Sequence, residues 1–407
     1  MKPKSFPSML AWALVSGVAL LGASTMTWAQ PQPVRAPAEL QYAWTQSQWN
    51  FASSAQAQAY AQAEVFKRAP LHGVKVDRQG QVFVSTARLV DARVPATLNR
   101  LIERAGRVTL EPFPNWGLQA LNRPDGLRNV LGFAIDSKNQ LWALDMGFAA
   151  GDVEAAPGAQ KLVVFDIESG RELRRYPLPD AVADRKTSFL NDLALDERRQ
   201  LAYISDSGSR AENGAAGGII VLDLQTGVSR RVLDRSPLTS DDPARPLFVN
   251  GEPALPGQAL RVGINGIALS PDGERLYWSI TTGDAVYAMD TRHIRDDARQ
   301  PADLEAHVIG PIRIGGGSDG MAVGPDGQIY VTNITLNRIQ QIDPASWAVR
   351  TLVEGPEWIW PDTLAFDREG HLWASTNHLN HVFSGQMQLD TAKPNFRIFK
   401  IPLMRPN

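Results

Sequence analysis

The sequence predicts an all-β fold: a six-bladed β-propeller with four-stranded antiparallel blades around a central tunnel. Three observations predict it. The stretch Asn265–Ser279 (NGIALSPDGERLYWS) joins an apolar run to an aromatic one through Pro271-Asp272-Gly273. Proline presets one turn angle, glycine accepts a positive φ and the flanking runs alternate, which together make a β-hairpin. Five further copies begin at Gly73, Gly132, Asn191, Asp319 and Asp362, with aromatic anchors at Phe83, Trp142, Tyr203, Tyr330 and Trp373 beside Tyr277. The anchors follow one another at 59, 61, 74, 53 and 43 residues, a blade-length period. The intervals leave room for two more strands per copy, such as Gly218–Leu224 (GIIVLDL) and Arg338–Asp343 (RIQQID).

Taken in order, the chain opens with Lys2 and Lys4, an apolar stretch from Met9 to Leu21, and Thr27-Trp28-Ala29 before Gln30. A basic start, a short apolar core and small residues at the end make residues 1–29 a signal peptide. The core is shorter than the roughly 20 residues of a membrane span, so export without stable membrane insertion is expected, to the periplasm or the outside. Residues 30–40 (QPQPVRAPAEL) form a Pro/Ala-rich leader, and residues 41–407 one propeller domain. Gln41–Phe51 is expected to close the ring with Asn395–Leu403, whose alternation suits a strand, and Ser53–Lys67 has helical propensity. Two insertions stand out: Ala149–Gln160, and Asp234–Gln258, which has five prolines and is expected to lie as a lid over one face.

Composition excludes several chemistries. The chain has no cysteine, so it has no thiolate nucleophile, zinc–thiolate site or cysteine-ligated iron–sulfur cluster. Its 41 basic and 43 acidic residues form no block of either sign, so no nucleic-acid partner is expected. No dinucleotide fingerprint stands in a βαβ context and Gly315-Gly316-Gly317 lacks the rest of a phosphate loop, so no nucleotide cofactor is expected. Gly316–Gly320 matches the letters of a nucleophile elbow around Ser318, but a hairpin follows where a helix is required.

The repeat places candidates on the axis. The residue just before each inner strand faces the tunnel: His72 or Gly73, Gly132, Asn191 or Asp192, Asn265, Asp319 and Asp362. Three carboxylates and two carboxamides at one mouth form a polar site, although each alone would serve equally as a turn cap. A second layer, Asp145, Asp206, Asn333 and Asn377, ends the next strand, with capping as the commoner role. Trp358 and Trp360 are candidates for a wall against a flat ligand, and core packing accounts for them equally well.

The runs VFVSTARLVDARVPATLN (Val82–Asn99), LEPFPNW (Leu110–Trp116), FLNDLALD (Phe189–Asp196), AYISDSG (Ala202–Gly208), GIIVLDL and the terminal NFRI resemble the major royal jelly protein/Yellow family. The resemblance is to a bacterial member and covers nearly the whole chain after residue 29. It implies a six-bladed propeller, export and a ligand at the tunnel; in insect relatives the roles are dopachrome conversion and biogenic-amine binding. A more distant similarity, to gluconolactonase/regucalcin propellers, implies a divalent cation, calcium or another, on Asn191, Asn265 and Asp319. Their glutamate ligand is replaced by His72, a poorer partner for a hard ion.

Three functions remain open. One is binding of a small aromatic or amine-bearing molecule by Asp362, Asn333, Asn377, Trp358 and Trp360. Another is a metal-assisted hydrolase or dopachrome-type isomerase with Asp319 and Asp192 as catalytic carboxylates. The last is an interaction scaffold without chemistry.

Overall fold

In the computed structural model, residues 37–211, 216–296, 301–390 and 392–403 are described. The leader and signal segment before residue 37 lie outside them. Six antiparallel four-stranded sheets form the blades. Their innermost strands are Val74–Val76, Val130–Ile135, Leu190–Asp196, Ile264–Leu269, Met321–Val323 and Pro361–Phe366, and each touches the next around the ring, the last returning to the first.

The hairpin between the inner two strands of a blade is held by its aspartate. Asp77 accepts from the backbone N–H of Gln79 and Gln81, both at 2.8 Å. Asp136 does the same for Lys138 and Gln140, and Asp367 for Glu369 and His371. These Asx turns are the physical content of the repeated Asp in the sequence copies. Strand alternation then sends one set of side chains to each neighbouring blade. Trp142, Val164, Leu193 and Ile204 share one cluster between blades 2 and 3, and Tyr203, Ile219, Ile267 and Trp278 another between blades 3 and 4. Full burial of each such side chain contributes about 1.5–3 kcal/mol.

The ring closes in the sixth blade, where Glu39–Trp44 pairs antiparallel with Phe396–Ile401 outside Leu372–Thr376 and Pro361–Phe366. The closing strand therefore starts within the expected leader and ends at Trp44. Its continuation turns away because Trp49 reaches blade 1, bridging to Leu110 and donating from Nε1 to Asn99 Oδ1 at 2.8 Å. The helix that follows is Ser54–Gln62, capped by the Ser53 hydroxyl on the Gln56 N–H. No helix among the described residues is long and apolar enough to cross a membrane.

Candidate functional site

Four of the six blades offer their inner strand to the axis at a distorted end. The pairing register slips between Val130 and Phe133, Leu190 and Leu193, Ile264 and Ile267, and Pro361 and Leu364. Such bulges re-aim side chains, and here the slipped residues include Asn191, Asp192, Asn265 and Asp362. Hydroxyls from second strands fasten these ends to their neighbours. Ser85 Oγ donates to Leu131 O at 2.7 Å, Ser205 Oγ to Asn265 O at 2.6 Å, and Ser375 Oγ to His72 O at 2.8 Å. The signal was present in the sequence, since a Ser or Thr stands two residues after the aromatic anchor in five of the six copies, a regularity the sequence reading did not use.

The ends enclose a cavity of about 440 Å³. His72, Asn191, Asp192, Asn265, Asp319 and Asp362 all line it, so the axial register converges. Phe133, Phe148, Phe189, Trp360 and Phe383 supply aromatic wall, and residues 258–262, with Leu255 from the end of the proline-rich insertion, line it too. That insertion carries a short hairpin, Phe248–Val249 with Glu252–Pro253.

The polar groups are organised around two aspartates. Asp319 accepts from Asn265 Nδ2 through one oxygen and from Trp360 Nε1, at 2.7 Å, through the other. Burial and the facing Asp362 hold its carboxyl well above the usual range, against the pull of those two donors. Asp362 accepts from Asn377 Nδ2 at 2.7 Å and from Thr363 Oγ1 at 2.9 Å, and its Oδ2 lies 3.4 Å from His72 Nδ1. His72 Nε2 is buried without a partner. Asn191 donates from its amide nitrogen to Ser207 Oγ at 3.0 Å. Burial pushes the Asp192 carboxyl up to about 6; Lys75 and the Leu193 N–H partly offset this and Asp362 adds to it.

Not every expected residue takes part. Trp358 is core: it stacks on Phe399 with ring centroids 4.3 Å apart and does not line the cavity. Asn333 is also outside, its amide donating to Ile314 O and Gln340 Oε1, both at 2.9 Å. Asn377 stands behind the wall, joining Asp362 to Leu71 O. Asp145 and Asp206 are caps on backbone N–H groups, each also paired with a cation, Lys161 and Arg231. Ser318 is fully buried, 3.4 Å from Thr332 Oγ1.

The sequence reading missed Lys75. It lines the cavity and also a second one of about 290 Å³ beyond it, so it stands at the waist between them, as does Asp192. Alignment of the six copies singles out Lys75 and sets Asp192, already a candidate, apart in the same way. Where the first copy has Lys75, the others have Ala134, Ala194, Ala268, Ala322 and Ala365; where the third has Asp192, the others have Gly73, Gly132, Gly266, Gly320 and Thr363.

For a hard ion such as calcium this ring is a poor fit. A hard ion takes six to eight oxygens, whereas both oxygens of Asp319 already accept from donors and His72 stands in the ligand ring. Among the described residues, three carboxylate or imidazole ligand atoms gather within 4.8 Å only at Asp367, Glu369 and His371. That trio belongs to the sixth blade's Asx turn, where Asp367 also accepts from Trp373 Nε1.

A propeller with an acidic, aromatic-walled axial cavity is the class these features define. The family model for major royal jelly proteins matches residues 129–405, and the chain belongs to that family. It is 25% identical to major royal jelly protein 9 of Apis mellifera over 66% of this chain and 61% of that protein. To protein yellow of Drosophila melanogaster it is 25% identical over 96% of this chain and 72% of the other. The chain thus spans less than two thirds of the length of the first royal jelly proteins it matches. Among solved structures, a gluconolactonase from Xanthomonas campestris aligns at TM-score 0.48 and 15% identity over 91% of this chain and 95% of that one. A calcium-binding regucalcin from Agrobacterium tumefaciens aligns at TM-score 0.49 and 16% identity over 81% and 89%.

Proposed function

We propose that the axial cavity binds a small molecule carrying a flat ring and a protonated amine. One observation carries the reading: Asp192, Asp319 and Asp362 share a cavity with five aromatic side chains. An ammonium entering among buried carboxylates replaces their lost hydration with charge-assisted hydrogen bonds, and the ring buries apolar area against the wall. The partnerless His72 Nε2 offers such a ligand a further polar contact. Calorimetric titration with an arylalkylamine and with the ring-matched neutral alcohol tests this. The amine is expected to bind and the alcohol to bind at least ~10-fold more weakly, with Asp319→Asn and Asp362→Asn each costing the amine a factor of ~10 or more. Equal binding of the alcohol overturns the reading.

A second reading rests on the Asp192 carboxyl, pushed up to about 6 and so suited to proton transfer near neutral pH, beside the raised carboxyl of Asp319, as in a tautomerisation of a ring compound. Turnover of an indole-quinone substrate that survives Asp192→Asn and Asp319→Asn would remove it. Export belongs to the same proposal, carried by the basic and then apolar opening segment. Recovery of a chain beginning near Gln30 from periplasm or medium is the expected result.

A further inference from the structure

The tunnel waist carries a ring of alanines from five of the six blades: Ala134, Ala194, Ala268, Ala322 and Ala365. The sixth member is Lys75, in the innermost strand Val74–Val76. Five alanines show that the bore at this level asks only for a methyl group, so packing does not account for a lysine. Its bonding does not either. Lys161, by contrast, is fully buried and tied to Asp145 at 2.7 Å and to Ala159 O at 3.0 Å. Lys75 Nζ makes a single hydrogen bond, to Leu364 O at 3.2 Å, and no ion pair among the described residues.

We propose that Lys75 is a nucleophilic amine that condenses with a carbonyl compound held in the axial cavity. The lone pair on Nζ attacks the carbonyl carbon and forms the C–N bond. Both amine protons then leave with the carbonyl oxygen as water, giving a C=N bond with no outside oxidant or reductant. Two further features support the assignment. The side chain borders both cavities, so a ligand seated against the aromatic wall meets it from above. Burial pushes the ammonium down from its ordinary range, against the nearby Asp192 and Asp362, which favours the neutral, nucleophilic form. The fitting class is an aldehyde carrying a flat ring on a short alkyl chain, matched to the cavity's aromatic side. This shares the cavity of the amine-binding reading and goes beyond it, because a covalent bond replaces reversible capture.

The test treats the full chain with phenylacetaldehyde near stoichiometry and sodium cyanoborohydride at neutral pH, followed by intact mass and peptide mapping. One adduct per chain is expected, on the peptide containing Lys75 and at ~10-fold or greater excess over any other lysine. Lys75→Arg is expected to abolish it. The map of the unaltered protein decides the matter even where that variant does not fold. Adducts spread over exposed lysines such as Lys138 and Lys186, without excess at Lys75, overturn the proposal. An arylalkylamine titration on the same preparation separates the two readings: amine binding without a Lys75 adduct overturns the imine alone, and loss of both overturns the cavity as a ligand site.

Discussion

Asp192 occupies a place that glycine fills in four of the other blades, and it does so inside the tunnel. Its carboxyl, pushed up to about 6 from an ordinary 3.8, binds its proton more tightly in the folded chain than in the unfolded one. The stability tied to that proton is therefore complete below the unfolded value and lost as pH rises through about 6. Asp192→Asn removes the buried charge, so it is expected to raise the melting temperature at pH ~8, by an effect of up to about 3 kcal/mol, and to do little near pH ~4. Thermal melts of both proteins across that range check it, and a pH-independent gap refutes it. The two tryptophans show what the sequence did and did not disclose at this scale. Trp358 and Trp360 share strand parity, yet only Trp360 meets the site. Its backbone has φ 47, and that left-handed turn sends the indole N–H to Asp319. No periodicity encodes such a turn. The convergence of Asn265, Asp319 and Asp362 was legible because they align in the copies. Lys75 is hidden locally because it sits within an apolar Val-Lys-Val run, and only the alanines at its equivalents in the other five copies mark it out.

At the scale of the inner strand, small residues let adjacent blades approach backbone to backbone. A Cβ on Gly320 would meet Asp362 O at 2.2 Å, and one on Gly132 would meet Asn191 O at the same distance. Real atoms do not approach so closely, so Gly320→Ala forces blades 5 and 6 apart at the residue that carries the site. The expected cost is about 3 kcal/mol or more, with weakened amine binding, read by urea denaturation and calorimetry. Unchanged stability would mean that the inner strands slide freely. The family-like run of blade 1 acts at this scale too. Arg88 is buried and donates to the carbonyls of Val94, Pro95, Gln119, Leu127 and Arg128, stitching the loop after the second strand to the entry of blade 2. The hairpins were legible because Asx turns and alternation are local; the bulges depend on pairing with the next strand and left no local mark.

For the molecule as a whole, the seam between Glu39–Trp44 and Phe396–Ile401 makes the sheets a closed circle. Deleting residues 39–44 exposes Phe396–Ile401 as a bare edge, an invitation to strand addition. Lower urea resistance and concentration-dependent light scattering are expected, and a monodisperse, equally resistant product would show that closure lies elsewhere. Six blades and closure by both ends were readable from repeat number and terminal alternation. The exact partner residues were not, because the N-terminal strand ends where Trp49 finds blade 1.

The same seam has a topological use. Because Glu39 lies opposite Lys400, the chain enters and leaves its circle at neighbouring points on one sheet. A short linker from residue 38 to residue 403 can join them, and the cut can be moved to an exposed turn such as that around Gly227. A permuted chain with its order of blades rotated in this way is expected to show the same far-ultraviolet circular dichroism and to retain its axial chamber, making the protein a circle whose starting point is a matter of gene arrangement.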